Sequence, residues 1–435
     1  MNVGKSILRF ALPFMARGGV IATNVIATLA LAWTYAPEIF GKIVFIWNFA
    51  LIFSAFLSLG VPNYLLRELS FRLNDDHDFG RLSLPTTGAL ILLAPALVAG
   101  GSTALLLWLF ETHPGLFPEA IESAAIIPII FLMCYLVNLT AGLASGFILT
   151  NRINYTMFAR DGLPSVTLVA AIFLPSFTAD PMLSLFWNFI TLQAAVALLG
   201  IAALVANGSL VRSAFEARIG PIPNTLGFWG LASTNVVVTG VDVLAGGWIL
   251  GARDLGHYQL VKRICNLAAL PQVVVTWAIA IPIGQAFGRR NWCAMRDALR
   301  TGARLSIVSV IPLLVGGGIA AMIASRWFGY GLGSESFALA AVSLLTSLTV
   351  VVFGPGVVVA AQTHLEFQAL GARIAGVVLF ALLAAVVAVH DPAPAALALC
   401  QLTSVASSGV LLWRAIRRRF AIDSSIFCLF RREGD

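Results

Sequence analysis

The sequence predicts an all-α polytopic membrane protein of about twelve transmembrane helices, set in two parallel six-helix halves around a central cavity. Three observations carry this. Of 435 residues, 59% are hydrophobic and 11% charged, whereas about 25% of a soluble globular chain is charged. Apolar stretches recur along the whole chain, at lengths near the ~20 residues a helix needs to cross a bilayer. One short pattern also returns at an offset of 215 residues.

The composition excludes a soluble enzyme, because so apolar a chain has too little polar surface to cover a water-facing fold. Twelve crossings use about 240 residues. The remainder is too short for an extramembrane domain of ordinary size. The stretches also lack the short period-2 alternation of a membrane barrel, so they are helices.

In order, the first stretch, 8–33, follows Lys5 and Arg9 and is interrupted by Arg17. It is longer than the roughly 7–15 residues of a signal-peptide core. It reads as a span, although Ala30 and Ala32 make an A-x-A pattern. The next three run 41–63, 84–110 and 121–148. The fifth, 162–179, is short and carries Pro164 and Pro175, and 183–206 completes the first half. The seventh, 226–251, holds Asp242 and Asn235, and the eighth, 261–285, opens on Lys262 and Arg263. Stretches at 304–325, 337–360, 366–389 and 394–413 follow. The division is therefore 1–210 and 211–415, with a basic tail at 416–435.

Charge fixes the orientation. With both termini cytoplasmic, 21 Lys and Arg residues fall on the inside, chiefly at 289–304 and 414–432. Five fall outside: Lys42, Arg253, Lys262, Arg263 and Arg326. That bias is the positive-inside pattern. It accounts for the net charge of +7 without a nucleic-acid partner. The basic tail is expected against anionic headgroups, and Ile422, Ile426, Phe427, Leu429 and Phe430 between its arginines predict an amphipathic interfacial helix. The five cysteines are scattered with no metal spacing, so they read as buried thiols.

The 215-residue repeat matches Leu29-Ala30-x-x-Trp33 and Gly41 to Leu244-Ala245-x-x-Trp248 and Gly256. Both copies cover the end of a first span and the outer turn into a second. Six spans separate them, so the halves are parallel, as in some secondary transporters with a substrate site between the halves.

The run from Ala30 through Pro37-Glu38, Gly41, Leu59-Gly60 and Arg67-Glu68 resembles the opening of bacterial polysaccharide (O-antigen) flippases. The segment with Asp242, Gly256, His257 and Tyr258 resembles that family's seventh and eighth helices. The wider superfamily also includes multidrug exporters and flippases for the peptidoglycan precursor. The resemblance implies export of an undecaprenyl-diphosphate-linked oligosaccharide at the cell inner membrane. Its partners would be that substrate, membrane lipids and the polysaccharide assembly machinery. It also implies basic residues in the cavity, one in the first span and one in the eighth.

The residues themselves leave alternatives open. No H-E-x-x-H, G-x-S-x-G or phosphate-binding loop occurs, which sets back a lipid-modifying enzyme. No cofactor is expected beyond coupling to a proton or sodium gradient. Arg17 is either a contact for substrate phosphate or a side chain snorkelling to the headgroups. Asp242 is either a coupling-ion site or a structural carboxylate paired with a neighbouring helix. Lys262 and Arg263 are cavity cations or ordinary interface residues. Asn24, Asn48, Asn138, Asn188, Gln193 and Gln272 bond between helices or line the path. The loop Asn74 to Asp78 lacks the Gly and Glu of a calcium loop and reads as solvated. A multidrug exporter of the same fold needs acidic cavity residues, and the first and tenth spans carry none.

Overall fold

The computed structural model describes residues 3–58, 94–146, 162–206, 222–390 and 392–429. Each of the twelve predicted stretches coincides with helix there. The first half contributes α1 (Val3–Thr34), α2 (Pro37–Leu57), α3 (Ala94–Thr112), α4 (Ile126–Gly146), α5 (Leu163–Ile172) and α6 (Pro181–Ala206). The second contributes α7 (Ile222–Ile249), α8 (Ala252–Cys265), α9 (Leu270–Gly288), α10 (Trp292–Trp327), α11 (Ser334–Phe353), α12 (Pro355–Gln362), α13 (Glu366–His390) and α14 (Pro394–Phe420).

Local chemistry sets many of these boundaries. Proline stands in the first turn of α2, α5, α9, α12 and α14, where its missing N–H costs no helix bond and its fixed φ suits the helix. Asp180 accepts from the backbone N–H of Met182 at 2.8 Å ahead of α6. Asn291 caps α10 by accepting from Ala294 N at 3.0 Å.

The outward faces fit lipid rather than water. On α10, Val308, Ile311, Val315, Ile319 and Ile323 form an exposed stripe, and on α13 the same holds for Ile374, Val378, Leu382, Val386 and Val389. The spacing of three and four residues places each set on one helix face, and a solvated protein would not leave such stripes open. At 36 residues, α10 is about 54 Å long. It outruns the ~30 Å hydrocarbon layer and carries its basic first turns beyond it.

Two compact units are formed: Ala22–Val236, and Val237–Asp435 together with Met1–Ile21. The divisions cut α1 after Ile21 and α7 after Val236, so the two cuts are 215 residues apart. The same interval separates the ends of α1 and α7, the starts of α2 and α8, and the ends of α3 and α10. The interval taken from four matched residues thus holds across the helix boundaries.

In the N-terminal unit, α4 packs on α2, α3 and α6, and α5 packs on α6. Phe53 meets Phe131 edge-on at 4.8 Å and Trp47 meets Phe189 at 5.2 Å. Polar side chains are spent internally. Gln193 donates to Thr140 Oγ1 and accepts from Thr167 Oγ1, each at 2.7 Å, while Asn188 donates to the carbonyls of Ala171, Leu174 and Pro175. Lys42 pairs with Glu122.

In the C-terminal unit, α14 packs on α11 and α13, and α10 on α8, α9 and α11. A Cβ on Gly376 would stand 2.9 Å from Ser404 O, so this α13–α14 contact requires glycine. Small residues at close helix contacts are expected where lipid removes the hydrophobic drive to associate.

Three expectations are corrected. The eighth span begins at Ala252, nine residues before the apolar stretch, and is broken by a 3₁₀ turn over Asn266–Ala269. Arg253, Asp254 and His257 in its first turns make it too polar to register as apolar. Lys262 and Arg263 therefore lie about 15 Å along the helix rather than at its outer mouth. The tail is also different: α14 ends at Ala421 in a left-handed conformation, and Ile426–Leu429 form a 3₁₀ turn. Ile426 and Cys428 pack on Ala303, Val310 and Val351, so these apolar residues join the protein core instead of an interfacial helix. The acidic loop at Asn74–Asp78 lies outside the described residues.

Candidate functional site

A two-residue connection, Leu250–Gly251, returns α7 as antiparallel α8. Gly246 permits the close approach: a Cβ there would be 2.8 Å from a Leu255 methyl. Thr239 and Asp242 then sit three residues apart on α7, facing Tyr258 and Lys262, four apart on α8. These intervals put each pair on one helix face.

The result is a closed charged cluster. Lys262 Nζ donates to Asp242 Oδ1 at 2.7 Å, to Oδ2 at 2.6 Å and to Thr239 O at 2.8 Å. The Tyr258 hydroxyl donates to Asp242 Oδ2, and its ring lies 5.9 Å from the ammonium. Asp242 is fully buried and the Lys262 side chain is 12% exposed. Three donors of the ammonium are matched by three acceptors, which is the condition for holding an ion pair out of water. Gln401 Nε2 donates to Val238 O at 2.6 Å and brings α14 alongside.

Arg263 is the neighbouring cation, and its position differs from that of Lys262. Its Nε is buried with no hydrogen-bond partner among the described residues. Toward the N-terminal end of α8, His257 stacks on Tyr330 at 4.7 Å and its Nε2 lies 3.1 Å from Ser325 Oγ. Arg253 donates to Gly329 O at 3.0 Å. These contacts tie α8 to the loop between α10 and α11.

The other candidates separate. Asn24 is in the N-terminal unit, where its Oδ1 accepts from Ser165 Oγ at 2.5 Å. Arg17 lies on α1, and its side chain is outside the described residues, as is that of Asn235. Tyr258 was visible only as part of a turn pattern. Its spacing of four from Lys262 was the available signal that both face one carboxylate.

The repeat supplies an internal control. At the 215-residue interval, Asp242, Tyr258 and Lys262 correspond to Ala27, Ile43 and Trp47. All three counterparts are buried and apolar. The helix hairpin therefore forms without a charged cluster in one half and surrounds one in the other.

Solved structures share this architecture. An inward-facing multidrug resistance MATE family transporter of the MOP superfamily aligns over 95% of this chain and 98% of its own, at 14% identity and a TM-score of 0.68. A MOP superfamily transporter from Pyrococcus furiosus, described as having a binding pocket of reversed polarity, aligns over 96% of both chains at 15% identity and TM-score 0.65. The lipid II flippase MurJ in an inward closed conformation covers 97% of this chain and 91% of its own, at 14% identity and TM-score 0.61. The chain thus has the all-helical fold of the MOP superfamily transporters. No family model and no curated protein matches the sequence.

Proposed function

We propose that this chain is a flippase for an undecaprenyl-diphosphate-linked oligosaccharide, the repeat unit of a surface polysaccharide such as an O-antigen or exopolysaccharide. It moves the lipid from the inner to the outer leaflet of the cell inner membrane by alternating access of the halves 1–210 and 211–415. Both termini are cytoplasmic, and the polysaccharide assembly machinery supplies and receives the lipid.

One observation carries the reading. Asp242 is the only fully buried carboxylate among the described residues, and Lys262 already neutralises it. Arg263 beside it is a cation whose buried Nε has no hydrogen-bond partner among those residues. Such a balance suits an anionic diphosphate and disfavours a cationic drug. Arg17 supplies a second cation, and Asn24 meets a sugar hydroxyl once its bond to Ser165 opens.

The same cluster offers a coupling step. A proton on Asp242 removes the charge that holds Lys262 and frees the ammonium for a phosphate oxygen; release of the lipid lets the pair reform and expel the proton. Binding and protonation are then linked through one ion pair.

The solved structures of like fold also support one second reading, a multidrug exporter, because MATE transporters are among them. Proteoliposomes holding a fluorescent lipid-diphosphate oligosaccharide separate the two. Protein-dependent exposure of inner-leaflet lipid to an impermeant external glycosidase is the expected result. Export of a cationic dye with no lipid exposure overturns the flippase reading.

A further inference from the structure

Among the described residues, three non-glycine positions have positive φ: Arg290 at 52°, His364 at 58° and Ala421 at 52°. They are far apart in sequence, yet all three border one aromatic cluster. Phe287 lies 6.0 Å from the His364 ring, 5.9 Å from Phe420 and 6.1 Å from Trp292. Trp292 stacks on Phe420 at 5.6 Å. Arg290 falls between Phe287 and Trp292, and Ala421 follows Phe420. Left-handed backbone is unfavourable for residues with a side chain, and such positions gather where a structure grips a ligand.

The consequence is a concentration of charge. The contacts of Phe420 with Phe287 and Trp292 bring the turn bearing Arg289 and Arg290 up to the end of α14, which bears Arg417, Arg418 and Arg419. All five are exposed. Arg417 lies over the Trp413 ring at 5.3 Å, and none of the five has an ion pair among the described residues. The nearest carboxylate along α14, Asp423, is engaged by Trp413 Nε1 and the Ser425 hydroxyl. The positive-inside rule accounts for arginines on this side of the membrane, but not for two segments 127 residues apart converging on an aromatic floor through strained turns.

We propose that this end of the C-terminal unit is a binding site for the phosphate headgroups of acidic phospholipids. Guanidinium groups pair with phosphate oxygens two at a time. Trp292, Phe287 and Phe420 sit at the ends of membrane-crossing helices, the depth at which aromatic rings meet headgroups. Five exposed arginines with no ion pair among the described residues leave a net positive charge here, which favours headgroups of net negative charge over zwitterionic ones. The site is separate from the Asp242 cluster and does not depend on what the protein transports.

The test uses the whole purified protein in nanodiscs of neutral phosphatidylcholine, with and without one-fifth cardiolipin, then scores lipid retained after detergent extraction by native mass spectrometry. Wild type is expected to retain cardiolipin and not phosphatidylcholine. Arg289→Gln/Arg290→Gln and Arg417→Gln/Arg418→Gln/Arg419→Gln should each lower retention about tenfold or more, since both segments form one site. Arg326→Gln, at the far end of α10, should retain lipid as wild type does. Equal retention in either cluster variant and wild type overturns the site, as does equal retention of the neutral lipid. Displacement of cardiolipin by millimolar inorganic pyrophosphate would assign the pocket to a soluble phosphate and also overturn the lipid assignment. An unchanged melting profile in each variant separates lost binding from lost folding.

Discussion

The two copies of the first helix hairpin differ at the place where the C-terminal unit holds the fully buried Asp242. In the N-terminal copy, the corresponding Ala27, Ile43 and Trp47 are buried and apolar, and the unit's polar side chains, Gln193 and Asn188, bond to neutral partners elsewhere. In the C-terminal copy, Asp242, Tyr258 and Lys262 fill the equivalent positions. Since the apolar version folds into the same hairpin, the charged version is not a requirement of the architecture. Buried ion pairs are seldom better for stability than apolar residues of like volume, which fits the role in transport proposed for this one.

The comparison can be broken in the C-terminal copy first. Lys262→Met leaves Asp242 buried without its counter-ion and should cost about 3–5 kcal/mol in chemical denaturation of the detergent-solubilised protein. A loss below about 1 kcal/mol would mean that the carboxylate finds another partner or a proton. Asp242→Asn, which keeps the shape and removes the charge, should abolish the dependence of lipid flipping on a pH gradient. An unchanged dependence would remove Asp242 from coupling.

Packing and neutral polar contacts should weigh less. Gly376→Val drives a Cβ onto Ser404 O and should destabilise by about 1–3 kcal/mol through overpacking, measurable as a lower melting temperature. Gln193→Leu in the N-terminal unit should cost only about 1 kcal/mol, because the hydroxyls of Thr140 and Thr167 also bond to backbone carbonyls one turn back. A larger loss there than in Lys262→Met would invert the contrast between the copies.

Much of the fold was legible because lipid imposes simple demands. Each span needs a long apolar run, and the interval linking Trp33 to Trp248 reappears in helix ends that carry no sequence match. The eighth span was misplaced because its first turns hold Arg253, Asp254 and His257. A hydropathy reading treats these as loop, although Ser325, Tyr330 and Gly329 supply their partners. The tail was misread because Ile422, Ile426, Phe427, Leu429 and Phe430 stand between arginine clusters, as in an interfacial helix. What separates the cases is the left-handed turn at Ala421 and the contact with α10, and neither has a local signal. Asp242 and Lys262 were both visible as costly charges, but their pairing depended on the tight α7–α8 turn and the missing side chain at Gly246.

The most direct measurement compares wild type with Asp242→Leu/Tyr258→Phe/Lys262→Met, which gives the C-terminal hairpin the apolar character of its counterpart. Both are reconstituted with a fluorescent lipid-diphosphate oligosaccharide, and lipid exposure to the external glycosidase is followed. The account predicts a variant with stability within about 2 kcal/mol of wild type and no protein-dependent exposure of lipid. A stable variant that flips the lipid at the wild-type rate would contradict it.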